Sequence, residues 1–240
     1  MSLDDKIVLI TGGARRIGRS LALTVARAGG DVAIHYWQSQ GEAVSTRVEV
    51  EAMGRKAFLL QADLSDPLQA AGLIPRVLEH GRLFALVNNA SLFEPLTWKN
   101  TSLEDWNHHL MVNLTAPFLL SQAFAQSLHQ GENGRIVNIL DWRAMRPGPD
   151  HLPYTISKSA LAALTCSLAA ALAPQISVNG LALGAVLPPA NGVDQDILKN
   201  VPARRWANLE EVGQALVFLL DGPAYITGEI IHVDGGRHLV

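Results

Sequence analysis

The sequence holds one cysteine in 240 residues, Cys166, which rules out a disulfide within the chain. It lies in an apolar stretch, residues 161–173, where a small buried side chain is expected in preference to a reactive thiol. Charge is scarce too, with 19 Lys and Arg against 22 Asp and Glu and a formal net charge of −3. A nucleic-acid groove needs a basic excess or a clustered basic face, so none is expected and partners should be small molecules. Uninterrupted apolar runs are too short to cross a bilayer, and no membrane partner is expected. Residues 1–10 lack the basic-then-apolar pattern of a secretion signal, which makes a reducing cytoplasm the expected compartment. His, Asp and Glu do not gather at ligand spacing, and His108 and His109 fall in an expected helix without partners, so no metal is expected. Repeats, low-complexity tracts and linkers are also missing. One α/β domain over residues 1–240 follows from the length and the 48% hydrophobic content.

What is present is a regular alternation. Short apolar, β-branched runs at 6–11, 31–36, 56–63, 82–90, 134–140, 176–183 and 228–236 are separated by stretches with helical spacing. Strand, helix, strand repeated in this way predicts a seven-stranded parallel sheet, doubly wound, with helices on both faces. Residues 184–208 break the pattern with Pro, Gly and Asn, and follow the sixth strand on the edge where such sheets bind ligands, so a substrate-covering loop is expected there.

Residues 11–18, Thr-Gly-Gly-Ala-Arg-Arg-Ile-Gly, leave the first strand and open the first helix, the context a dinucleotide-binding turn requires. Gly12 and Gly13 permit close approach of a ligand to the backbone, and Gly18 lets the helix pack near the sheet while its amide end faces phosphates. Position 16 carries arginine where a third glycine is often found. The second strand ends His35-Tyr36-Trp37-Gln38-Ser39 with no acid to hold a free ribose hydroxyl, and Arg15 and Arg16 stand near in sequence. That pattern favours a phosphorylated ribose, hence NADPH. Asp63, closing the third strand, reads either as an acceptor for the adenine amino group or as a turn acid.

Tyr154 and Lys158 lie four apart in an expected long helix and so project from one face. A neighbouring ammonium in a dry cleft would lower the phenol pKa and let the tyrosine donate a proton as hydride arrives. The turn at 11–18, Asn88-Asn89-Ala90 closing the fourth strand, Asn113 in the next helix, and Tyr154 with Lys158 together resemble the short-chain dehydrogenase/reductase family over nearly the full length. The resemblance implies a Rossmann-like sheet, a cofactor-supporting Asn88-Asn89-Ala90 turn, a relay water positioned by Asn113, and a ribose contact from Lys158, which would lower the pKa of Tyr154. It also implies cofactor contacts from Gly12, Arg15, Ile17, Tyr36, Asp63, Leu64, Asn89, Ala90 and Gly184, and a homotetramer built on the helices near 102–130 and 152–174. Leu183 departs from a proline common in the family.

Most members place a serine thirteen residues before the tyrosine, where this sequence has Asp141. The aspartate, Arg16, the His35-Tyr36 pair, the run Asn88-Asn89-Ala90-Ser91-Leu92-Phe93 and the ending at 234–240 are similar to the pteridine reductases and the bacterial dihydrofolate and dihydromonapterin reductases. That resemblance implies that Arg16 contacts the cofactor phosphates and the pterin edge, Ser91 binds phosphate or substrate, and Phe93 sandwiches a pterin against the nicotinamide. It further implies that His35 and Ser39 bind the ribose phosphate and that Asp141 shares a proton relay with Tyr154. Burial is expected to keep Asp141 protonated, so that it feeds a proton to a ring nitrogen. Trp142, Arg143 and Arg146 either rim the pocket or lie exposed. Two alternatives stay open: a general carbonyl or 3-oxoacyl thioester reductase, and a protein that senses the cofactor without turnover.

Overall fold

The computed structural model describes residues 3–187 and 195–240. Its seven strands are β1 (Ile7–Ile10), β2 (Asp31–Tyr36), β3 (Ala57–Gln61), β4 (Leu83–Asn88), β5 (Gly134–Asp141), β6 (Ile176–Leu183) and β7 (Ile230–Val233). They form one sheet in the order β3-β2-β1-β4-β5-β6-β7, and every pairing is parallel. Helices α1 (Arg16–Arg27), α2 (Gln40–Ala52), α3 (Pro67–Ala71), α4 (Leu73–Leu78), α5 (Leu103–Leu110), α6 (Ala116–Ser127), α7 (Leu152–Leu172), α8 (Gln195–Lys199) and α9 (Leu209–Asp221) supply the crossovers. Because these helices cover both faces, β1, β2 and β6 are buried at every residue, which is why their sequences are apolar runs and do not alternate.

Two apolar clusters lie on opposite faces of the sheet. One joins α1 and α9 to the strands through Leu21, Val25, Val212 and Leu216; the other joins α4 and α6 through Ile74, Val77, Leu120 and Phe124. The chain leaves β1 toward β2 on one side and returns through β4 on the other. A crevice therefore opens beyond the carboxyl ends of β1 and β4, as the reversal of strand order requires.

The strand boundaries differ from expectation in instructive ways. β7 is shorter than 228–236 because Gly228, Gly235 and Gly236 take positive φ values of 82°, 63° and 84°, which no strand accommodates. β5 extends one residue beyond 140, so Asp141 is the last residue of a strand, paired in register with Leu183. The expected helix near 102–130 is interrupted by a π-helical turn, Met111–Thr115, that carries Asn113.

α7 requires two corrections. It is long and apolar enough, by length and composition, to cross a membrane, contrary to the short-run expectation; here it packs on β5 and β6. Its buried side carries Tyr154, Lys158, Leu161, Ala162, Thr165 and Ala169, at helical spacing. Cys166 falls on the opposite side and is exposed, not buried as expected. Of the expected loop 184–208, residues 188–194 lie outside the described residues.

Candidate active site

The crevice is a cavity of about 1000 Å³ lined by Gly12, Arg15, Arg16, Ile17, His35, Tyr36, Ser39, Asp63, Leu64, Asn89, Ala90, Ser91 and Phe93, all of them residues singled out in the sequence. Its floor is set by hydrogen bonds between distant turns. Thr11 Oγ1 accepts from the amides of Asn89 (2.9 Å) and Ala90 (3.0 Å), and Asn89 Nδ2 donates to the carbonyls of Thr11 (2.8 Å) and Gly12 (3.2 Å). Asn88 Nδ2 donates to Asn138 Oδ1 at 2.8 Å, tying β4 to β5. A Cβ at Gly18 would lie 2.0 Å from the Gly12 carbonyl oxygen, so only glycine allows this helix-to-turn approach.

These residues fit a nicotinamide dinucleotide. α1 starts with no side-chain cap and no acid in its first turn, leaving main-chain N–H groups for an anion. Arg15 and Arg16 are exposed beside it. Arg16 takes φ 53°, the left-handed region, which explains why glycine is common there; an arginine tolerates it at about 1 kcal/mol, and strain of this kind gathers at functional sites. Ser39, at the start of α2, makes no capping hydrogen bond with its side chain and lines the same cavity.

His35 does not fill the expected role. Its ring is buried, Nδ1 accepts from Gly12 N at 3.0 Å, and Nε2 lies 3.0 Å from the Ala62 carbonyl, which makes Nε2 the protonated nitrogen. Burial holds the imidazole at about 4, so it is neutral near pH 7. It has no N–H left for a ribose phosphate and shapes the turn instead. Asp63 serves the turn reading in part: its Oδ1 accepts from Ser65 N (2.8 Å) and Ser65 Oγ (2.7 Å), while the residue still lines the cavity. Glu42, in the first turn of α2, also lines it. Gly184 packs against the main chain of Asp234 and is not among the cavity-lining residues.

Asp141, Tyr154, Lys158 and Asn113 are not among the cavity-lining residues; Tyr154 adjoins the cavity through Phe93, which is. Tyr154 Oη donates to Asp141 Oδ2 at 2.9 Å, and Lys158 Nζ donates to the Ile139 carbonyl at 2.7 Å. Burial, then the charge and hydrogen bond of Asp141, push the Tyr154 phenol well above its usual value, the reverse of the expected lowering. Placement adds to burial: Asp141 meets the phenol oxygen, whereas Lys158 Nζ lies 5.8 Å from the ring centroid and is spent on a carbonyl. Burial draws Lys158 down to about 8.

Asp141 is an acceptor on both oxygens. Oδ1 takes the Arg143 amide at 2.9 Å and lies 3.6 Å from the Arg143 guanidinium. Asn113 is buried with its amide fully engaged. Nδ2 donates to the Leu92 carbonyl and Ser157 Oγ, both at 3.0 Å, and Oδ1 accepts from Leu92 N (2.8 Å) and Ser91 Oγ (3.1 Å). Its side chain holds the 91–92 segment in place. Phe93 stands edge-on to Tyr154, centroids 4.6 Å apart, and stacks on His151 at 3.9 Å.

Known proteins share this fold. A family model described as enoyl-(acyl carrier protein) reductase matches residues 12–238. A short-chain dehydrogenase of Burkholderia cenocepacia, solved in complex with NADP, superposes with a TM-score of 0.93 at 35% identity, covering 99% of both chains. The chain belongs to the short-chain dehydrogenase/reductase family. Other members match equally broadly. The FolM alternative dihydrofolate reductase 1 of Brucella canis, complexed with NADP, superposes with a TM-score of 0.93 at 35% identity over 100% of this chain and 97% of its own. The 3-oxoacyl-[acyl-carrier-protein] reductase of a Synechocystis strain is 32% identical over 241 residues, 98% of either chain.

As a short-chain dehydrogenase/reductase, the protein is an NAD(P)H-dependent oxidoreductase. Sequence reasoning found its turn, its tyrosine and its lysine, but not the grip of Arg143 on Asp141 or the seat of Phe93 on His151. His151 gave one signal: it directly precedes the tyrosine helix, where it takes φ 48° and its Nδ1 lies 2.8 Å from the Glu94 carbonyl. Trp142 and Arg143 are partly buried next to Asp141 and are not among the cavity-lining residues. Arg143 Cζ lies 4.9 Å from the Trp142 ring centroid, and its side chain is 15% exposed.

Proposed function

We propose that the protein uses NADPH to reduce a carbon-nitrogen double bond in a pterin or folate. The observation that carries this reading is the carboxylate at the serine position, 2.9 Å from the tyrosine hydroxyl. Reduction of either a carbonyl or a carbon-nitrogen double bond takes one hydride and one proton, but a carboxyl group beside the tyrosine can in addition accept from the N–H groups of a pterin edge, which a simple ketone lacks. Phe93, half exposed and stacked on His151, lines the cavity where such a ring would lie. The likeness to a dihydrofolate reductase supports the same reading.

The cofactor would supply hydride. The α1 amides, Arg15, Arg16 and Ser39 would hold its phosphates, with the missing acid at the end of β2 favouring the phosphorylated form. Tyr154 keeps its proton until needed because its phenol is raised, and Asp141 orients that hydroxyl through one hydrogen bond. Lys158, buried, places a positive charge 5.8 Å from the Tyr154 ring centroid. A homotetramer acting on small molecules in the cytoplasm, with neither nucleic acid nor membrane as partner, completes the proposal.

Likeness to a 3-oxoacyl reductase and to the enoyl reductase model favours a second reading, reduction of an acyl thioester, in which Asp141 is tolerated and not used. Mixing the protein with NADPH and either dihydrobiopterin, dihydrofolate or a 3-oxoacyl thioester separates the two. Cofactor oxidation with a pterin or folate is expected; oxidation with the thioester alone rejects the proposal.

A further inference from the structure

The two oxygens of Asp141 have different owners. Oδ2 receives the Tyr154 hydroxyl, and Oδ1 receives the Arg143 amide, with the Arg143 guanidinium 3.6 Å away. The other arm of that guanidinium donates to Asp150 Oδ2 at 2.9 Å, in the loop just before α7. Arg143 thus ties the end of β5, which carries the acid, to the segment that launches the tyrosine. Its Cζ also lies over the Trp142 and Phe93 rings, 4.9 and 5.9 Å from their centroids, and its Nε is buried with no hydrogen-bond partner.

We propose that Arg143 is a positioning residue that holds Asp141 with one chosen oxygen turned to the Tyr154 hydroxyl. The inference rests on the proposed function only in taking Asp141 and Tyr154 as the reacting pair; the identity of the substrate does not enter.

The charge balance around Asp141 makes Arg143 decisive. Tyr154 and the Lys158 ammonium face it from α7, Arg143 and Asp150 from the β5–α7 loop, and Arg237 from the C-terminal turn, where it stacks on Trp142 at 4.3 Å beside the Asp234–His238 pair. Lys158 gives its hydrogen bond to a carbonyl, and Arg237 gives its face to an indole. Arg143 is the cation that bridges the two carboxylates. Without it, Asp141 and Asp150 lose the positive charge between them and Asp141 binds a proton more readily. A protonated Asp141 has a donor of its own and no longer holds the tyrosine hydroxyl in a single orientation.

The test is the titration of the residue-141 carboxyl by carbon-13 NMR, assigned with Asp141→Asn, in the cofactor-free protein. Arg143→Gln is expected to move its midpoint upward by about one pH unit, with the acid limb of kcat/KM moving in step and kcat/KM near neutral pH falling about tenfold. Arg143→Lys should recover part of both, and Arg143→Gln should add little once Asp141 is Asn. Asp150→Asn, at an exposed partner, provides a second variant if the glutamine protein does not fold; it frees the guanidinium for Asp141 and moves the midpoint downward. A midpoint unmoved in the folded variants, or an equal further loss in the Asp141→Asn background, overturns the proposal. The NMR result needs no substrate, so a wrong substrate class would leave it standing.

Discussion

The two halves of the crevice are built on opposite electrostatic plans. On the β1–β2 side the buried polar groups are neutral and bonded to main chain, as Thr11, Asn89 and His35 are, while the charged Arg15, Arg16, Glu42 and Asp63 stand on the cavity lining beside the start of α1. On the β5–α7 side the groups are charged and close together: Lys158 is buried, Asp141 and Arg143 are partly buried, and Asp150 is exposed. The first plan suits a site that must hold a large ligand in one pose. The second suits a site that must move a proton, because each charge there displaces the titration of its neighbours.

Breaking the charged half should have the largest effect. Tyr154→Phe removes the donor hydroxyl and is expected to lower kcat by about 10²–10⁴-fold while NADPH binding, followed by cofactor fluorescence, is retained. Breaking the neutral half should reverse that pattern. Gly18→Ala drives a Cβ to 2.0 Å from the Gly12 oxygen, so the turn must shift, and lost NADPH affinity with about 1–3 kcal/mol of stability is expected from denaturant titration.

His35 sharpens the comparison through pH. Its imidazole titrates at about 4 in the fold against an ordinary 6.5, so the unfolded chain binds a proton that the fold refuses. Stability that is fully present above pH 6.5 should therefore fall as pH drops toward 4, and His35→Asn should flatten that fall. Arg16→Gly is the smallest test. Relief of the left-handed backbone should raise stability by no more than about 1 kcal/mol, offset by the freer unfolded chain, while NADPH affinity weakens.

The same contrast explains what the sequence made legible. All seven strands lie within or at one residue of their expected runs because parallel strands buried on both faces must be apolar, and that signal is local. The turn at 11–18, Asn89, Tyr154 and Lys158 were legible because their spacing is set within one turn or one helix. His35 was misassigned because its partners, Gly12 and Ala62, lie 23 and 27 residues away, and nothing in a His-Tyr pair reveals that both ring nitrogens are taken. The direction of the Tyr154 shift was missed because it depends first on how deeply the phenol is buried and then on which charge meets its oxygen, both set by tertiary packing. Cys166 was misjudged because an apolar helix that buries one side still shows the other.

The account turns on whether the carboxylate at 141 selects a nitrogen heterocycle. The direct measurement is the ratio of kcat/KM for dihydrobiopterin to that for a 3-oxoacyl thioester, taken in the wild-type protein and in Asp141→Ser. The ratio should favour the pterin in the wild type and fall by about 100-fold or more in the serine variant, equivalent to about 2.7 kcal/mol of differential transition-state stabilisation. A ratio that favours the thioester from the start, or that the substitution leaves unchanged, contradicts it.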